Sequence, residues 1–156
     1  MQTAVHENEQ VTAVLAALCS IFDDALLAVY LHGSAVSGRL RPQSDIDLLA
    51  VVDHSSNEHQ RAALLAALLR LSGHYPARAD GARCLEVMVF SRPDLDLCPF
   101  NARADFVYGE WLRGAFEAGE KPVPAQDPEF TLVLAQARQE AIALFGPDRD
   151  ALLPEI

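Results

Sequence analysis

The chain has 156 residues, enough for one compact domain with a sizeable core. Hydrophobic residues make up 51% of it, which excludes an intrinsically disordered chain. With 12 Lys+Arg against 22 Asp+Glu the net charge is −10, which excludes charge-driven binding to nucleic acid and is either a solubility feature or an attraction for cationic small molecules.

In chain order, Val11, Val14, Leu15, Leu18 and Phe22 recur at helical spacing and predict an amphipathic helix over residues 8–22. Leu26 to Leu31, with Val29 and Tyr30, reads as a buried strand before Gly33. A short helix is expected to start at Ser34, followed by a loop through Gly38, Arg39, Arg41 and Pro42. Asp45 to Val52 is a second strand. Asn57 is the expected N-cap of a helix reaching about Leu71, with Leu64, Leu65, Leu68 and Leu69 on its buried face and Gly73 beyond its end. Cys84 to Phe90 is a third strand, Pro93 to Asn101 a loop, and residues 104–111 a further strand leading into a short helix to about Ala118. Lys121 to Pro124 forms a stiff connector. Pro128 opens a last helix with the face Leu134, Ala137, Ala141 and Leu144, ended by Gly146 and Pro147.

Cys19, Cys84 and Cys98 are odd in number and match no zinc or disulfide spacing, so they read as reduced thiols of a cytoplasmic protein. No apolar run reaches the ~18 residues that a membrane span needs, and Met1 to Gln10 is too polar for a signal peptide.

Chemistry concentrates in Gly33-Ser34, ten residues, then Asp45-Ile46-Asp47. Alternate strand residues share a face, so the Asp45 and Asp47 carboxylates project together while Ile46 and Leu48 face the other way. Two such charges either sit at a solvated strand end or hold a divalent cation such as Mg²⁺, which prefers oxygen ligands. The Gly33-Ser34 turn either only reverses the chain or offers its N–H and hydroxyl groups to a phosphate. Glu86 lies inside the apolar run Cys84 to Phe90, where an acid needs a partner. That partner is a salt bridge to Arg83 or Arg78, or a metal shared with the two aspartates. Glu86 can alternatively serve as a general base. His32 reads as a packing residue. The other four histidines, and the acids Asp94, Asp96, Asp105 and Glu110, read as solvated, with Glu110 near a supposed pocket.

The segment LLAVYLHGSAVSGRLRPQSDIDLLAVV (26–52), followed by LEVMVF (85–90), YGEW (108–111) and ALFGP (143–147), resembles the streptomycin/spectinomycin 3''(9)-adenylyltransferases, a branch of the polymerase β-like nucleotidyltransferases. This resemblance spans roughly residues 25–155. It implies an α/β (α+β) fold with a mixed sheet flanked by helices. It also implies Mg²⁺-dependent transfer of AMP from ATP to an aminoglycoside hydroxyl, with release of pyrophosphate. Asp45, Asp47 and Glu86 match the family's metal-binding acids, with Glu86 also the catalytic base. Gly33, Ser34 and Ser44 match positions that cradle the phosphates, and Trp111 matches an aromatic lining the drug pocket. Arg41 stands where relatives are basic, and is either a phosphate contact or a solvated loop residue. Family members continue into a C-terminal helical domain, so residues 1–156 are expected to be the nucleotidyltransferase domain without it.

Three functions follow from these readings. The chain is an aminoglycoside adenylyltransferase or its catalytic domain, a minimal nucleotidyltransferase paired with a separate helical partner as in toxin–antitoxin systems, or a non-catalytic remnant. An apolar surface that a second domain normally covers would favour self-association.

Overall fold

A computed structural model of the chain describes residues 2–33, 45–74, 82–97 and 101–155, with side chains from Glu9 onward. The first helix, α1 (Gln2–Phe22), passes through a short turn into β1 (Leu26–His32). Next come β2 (Ile46–Val52), α2 (Glu58–Leu71), β3 (Leu85–Ser91) and α3 (Arg92–Leu97). β4 (Arg103–Ala104) and β5 (Phe106–Tyr108) lead through a 3-10 turn to α4 (Arg113–Glu117). The chain then forms β6 (Ala125–Gln126), α5 (Pro128–Glu140), β7 (Ile142–Phe145) and α6 (Arg149–Leu152). Among the described residues, no helix is long and apolar enough to cross a membrane.

Five strands form one mixed sheet in the order β5-β3-β2-β1-β7. β2 and β3 run parallel, and the other pairings are antiparallel. A parallel pair needs a crossover, and α2 supplies it. Asn57 starts that helix with a capping box: its side chain accepts from the Gln60 N–H at 2.7 Å, and the Gln60 side chain accepts from the Asn57 N–H at 3.0 Å.

Strand alternation divides the core in two. On one face Val29, Leu48, Ala50, Val87 and Val89 pack against Val14, Leu18 and Phe22 of α1 and Leu64, Leu65 and Leu68 of α2. On the other face Tyr30, Leu49, Val51, Met88 and Phe90 meet Leu134 and Ala137 of α5 and Leu95 of α3. Both predicted helix faces in the first cluster are therefore buried as the spacing required. The second face runs two residues further into His32 on β1 and begins two residues earlier with Asp47 on β2 and Glu86 on β3, so its apolar surface ends in a polar row.

Several expectations are corrected. Residues 92–97, expected as loop from Pro93, are helical because the Ser91 hydroxyl caps the turn, accepting from the Asp94 N–H at 3.4 Å and donating to its carboxylate at 2.9 Å. The strand expected over 104–111 is broken at Asp105 and ends at Tyr108. The last helix stops at Glu140, and Ala141 turns extended at φ −68°, ψ 149°. Leu144 therefore lies on β7, which pairs antiparallel with β1, and not on a helix face. The short helix at Ser34, Arg41 and Cys98 fall outside the described residues.

Asp105 is not solvated. It is fully buried, and its carboxylate accepts from the Ser56 N–H at 2.5 Å, the Ser56 hydroxyl at 3.0 Å and Arg103 Nη1 at 2.7 Å. This cluster fixes the turn after β2 to the strand beside β3. Asp105→Ala strands those donors and is expected to lower stability by roughly 3 kcal/mol, read by urea unfolding. A change below about 0.5 kcal/mol would show that the cluster is replaceable by water.

Candidate active site

Asp47 and Glu86 are direct register partners across the parallel β2–β3 pair, and His32 is the partner of Asp47 on β1. Directly paired residues point to the same face of a sheet, so these three side chains share the end of the second face. Asp45 immediately precedes β2 and adds another carboxylate. One oxygen from each of Asp45, Asp47 and Glu86 lies within 4.8 Å of the others, all three residues being half-buried.

The electrostatics are one-sided. Burial, the charge of Glu86, a hydrogen bond with Glu86 and the charge of Asp45 together push the Asp47 carboxyl up to about 8. Burial raises Glu86 as well; the hydrogen bond with Asp47 opposes that rise and the Asp45 charge adds to it. Asp45 is raised by burial and by the charge of Glu110. A metal-free site thus holds a proton between Asp47 and Glu86, since two unscreened charges this close cannot both persist. His32 supplies no compensating charge: it is buried, and desolvation pushes its imidazole down to about 4. An all-carboxylate donor set of this spacing fits a hard divalent cation. The backbone is shaped to match. Gly33 adopts φ +75°, and a Cβ there would collide with the Asp47 carboxylate.

A cavity of about 530 Å³ opens beside Glu86, walled by Met88, Val107, Trp111, Phe116, Phe130 and Val133. Glu120, Asp127 and Glu129 also line it, with Lys121 beside them, so acids outnumber cations along its wall. The Trp111 ring is 64% exposed and lies against Gly109, where any Cβ would collide with it. The Tyr108-Gly109-Glu110-Trp111 segment therefore brings an aromatic plane to the same cavity as Glu86.

Of the residues singled out from sequence, Gly33, Asp45, Asp47, Glu86 and Trp111 are brought into one region. Ser34 and Ser44, like Arg78, fall outside the described residues. Glu110 corrects the sequence reading. Its side chain is only 6% exposed, and it accepts from Arg113 Nε at 2.7 Å and the Tyr108 hydroxyl at 2.5 Å. Burial alone raises its pKa, but those donors and Ser72 outweigh burial and lower it. Arg113 three residues downstream was the available signal. Cys84, next to this network, is pushed up to about 11 by burial and by the Asp45 and Glu110 charges, so its thiol stays protonated.

Comparison with known proteins gives a consistent picture. Residues 18–78 match the family described as Polymerase beta, Nucleotidyltransferase. The chain is 43% identical over 136 residues to a spectinomycin 9-adenylyltransferase of Staphylococcus aureus, covering 87% of this chain and 52% of that protein. It is 33% identical over 149 residues to an aminoglycoside (3'') (9) adenylyltransferase of Klebsiella pneumoniae, covering 96% and 56%. Among solved structures, a spectinomycin adenyltransferase of Enterococcus, determined with ATP and spectinomycin, superposes with TM-score 0.90 at 27% identity, covering 96% of this chain and 60% of that one. The chain spans about half the length of the curated relatives it matches.

The raised Asp47 pKa has a thermodynamic consequence in the metal-free protein. Between the ordinary value of 3.8 and about 8 the native state binds more protons than the unfolded state, so stability falls as pH rises through that window. Thermal melts in EDTA from about pH 5 to about pH 8 should show a falling Tm, with a shallower fall in Asp47→Asn. Added divalent cation should raise Tm at the upper end by a few degrees, roughly 2–4 °C per kcal/mol. Equal slopes for the two proteins would show that Asp47 is not the group responsible.

Proposed function

We propose that this chain, which carries a polymerase beta-type nucleotidyltransferase domain, transfers AMP from ATP to a hydroxyl of an aminoglycoside of the spectinomycin or streptomycin type and releases pyrophosphate. The observation that carries the reading is the convergence of Asp45, Asp47 and Glu86, with Glu86 lining the same cavity as Trp111. The relatives' substrates support it: curated proteins up to 43% identical are spectinomycin 9-adenylyltransferases.

In this reading Asp45 and Asp47, with Glu86 beside them, would hold Mg²⁺. Such an ion supplies positive charge that offsets the negative charge gathering on the triphosphate oxygens. Gly33 lets the Asp47 carboxylate pack against its backbone, and Gly33, Ser34 and Ser44 would cradle the phosphates. Glu86, once ionised, would accept the proton of the drug hydroxyl. The hydroxyl oxygen bonds to the α-phosphorus, the bond from that phosphorus to the bridging oxygen breaks, and pyrophosphate leaves with the electron pair. Trp111 offers a flat surface for the drug, and the lining acids Glu120, Asp127 and Glu129 draw a cationic molecule while repelling nucleic acid. Residues 1–156 then form the nucleotidyltransferase unit, and a helical domain or partner completes the cleft. A cytoplasmic location suits the free thiols Cys19 and Cys84.

Pyrophosphate release and mass spectrometry of spectinomycin and streptomycin incubated with ATP and Mg²⁺ test this directly. The expected product is a drug heavier by one AMP. Glu86→Gln should reduce turnover by about 10²- to 10⁴-fold with its fold intact, as removal of a general base does. Intact protein that binds Mg-ATP but never adenylylates either drug would overturn the assignment of substrate. Trp111→Ala should raise the KM for the drug about tenfold, ~1.4 kcal/mol, and leave the KM for ATP within about twofold. Equal changes in both would remove Trp111 from the drug pocket.

A further inference from the structure

The buried carboxylate of Glu110 does more than satisfy Arg113. Its Oε2 faces the Ser72 hydroxyl at 3.0 Å as well as the Tyr108 hydroxyl. The same Ser72 oxygen accepts the backbone N–H of Leu85 at 2.9 Å. Leu85 opens β3 and immediately precedes Glu86. On the other side Glu110 sits between Gly109 and Trp111, and Arg113 clamps the turn by reaching the Ser72 and Leu69 carbonyls at 3.5 and 3.3 Å. One carboxylate is therefore tied to both the start of the strand carrying Glu86 and the turn carrying Trp111.

We propose that Glu110 is a positioning residue for nucleotidyl transfer, acting through Ser72 on Glu86 and through its own turn on Trp111; the proposal rests on the functional reading above. Ser72 hydrogen-bonds the Leu85 N–H from outside the sheet, at the point where β3 must deliver Glu86 beside Asp47. A shift there moves the base and one corner of the carboxylate trio together. Neither Glu110 nor Ser72 is among the three acids that converge.

The test compares Ser72→Ala, Glu110→Ala and the double variant with wild type, each checked for fold by circular dichroism. Two readouts are taken: steady-state kinetics of pyrophosphate release with drug and ATP, and Mn²⁺ affinity by electron paramagnetic resonance. Each single variant is expected to lower kcat about 10- to 100-fold with the KM for ATP near wild type, and to weaken Mn²⁺ binding about tenfold, as loss of an outer support of a metal ligand does. The double variant should be no worse than the worse single one, because both act on one link. Glu110→Gln, which keeps an acceptor for Ser72 and Tyr108, should recover part of the loss. Ser72→Ala removes a single hydroxyl and decides the matter where Glu110→Ala fails to fold. Folded variants with kcat and Mn²⁺ affinity both within about twofold of wild type would overturn the positioning role, as would losses that multiply in the double variant. Wild-type protein that transfers nothing to the drug, with variants that still weaken Mn²⁺ binding, would overturn the drug assignment and leave the positioning role standing.

Discussion

Parallel pairing of β2 with β3 places Asp47 beside Glu86, and two acids this close persist only with a proton or a cation between them. A sheet normally spends such central positions on apolar side chains, as the next residues Leu49 and Met88 on the same face do. Here the strands hold two acids together, and Asp45 adds a third. The scaffold tolerates this because the burial of Val87, Leu48 and their neighbours on the opposite face holds the two strands in register. Folding free energy from that core is stored as electrostatic tension at one edge. A divalent cation would relieve it.

The surroundings sharpen the tension. His32 is buried and stays neutral, so the flanking strand contributes no positive charge. Gly33 contributes no side chain, so the Asp47 carboxylate packs directly against its backbone. Among the described residues, Arg113 pairs with Glu110 and Glu117, and Arg103 with Asp94 and Asp105. The protein thus separates two uses of buried charge. Paired groups fasten the loops, and of the like-charged trio Glu86 lines the cavity.

Much of this was legible in the sequence because it depends on short-range periodicity. The helix faces of α1 and α2, three core strands, and the Asp45, Asp47 and Glu86 set all follow from alternation or 3.6-residue spacing. Misses occurred where distant residues decide. β7 follows α5 after one extended residue, and Leu144 keeps the spacing of Leu134, Ala137 and Ala141, so the pattern alone continues the helix. Pairing with β1, more than a hundred residues earlier in the chain, is what makes it a strand. Asp105 and Glu110 look like surface acids until Ser56, at a separation of 49 residues, and Ser72, at a separation of 38, are brought to them. Ser91 did carry a local signal, a hydroxyl three residues ahead of Asp94, which the adjacent proline obscured.

The place of Trp111 also makes the chain its own optical instrument. It is the single tryptophan in 156 residues, it is 64% exposed, and it stands at the cavity that Glu86 opens onto. Every photon of indole emission therefore originates at one wall of that cavity, with no second fluorophore of its kind to dilute the signal. Solvent around the ring sets its wavelength, and a molecule seated against it excludes that solvent. Occupancy is thereby written into the colour of the protein's own light, without a label.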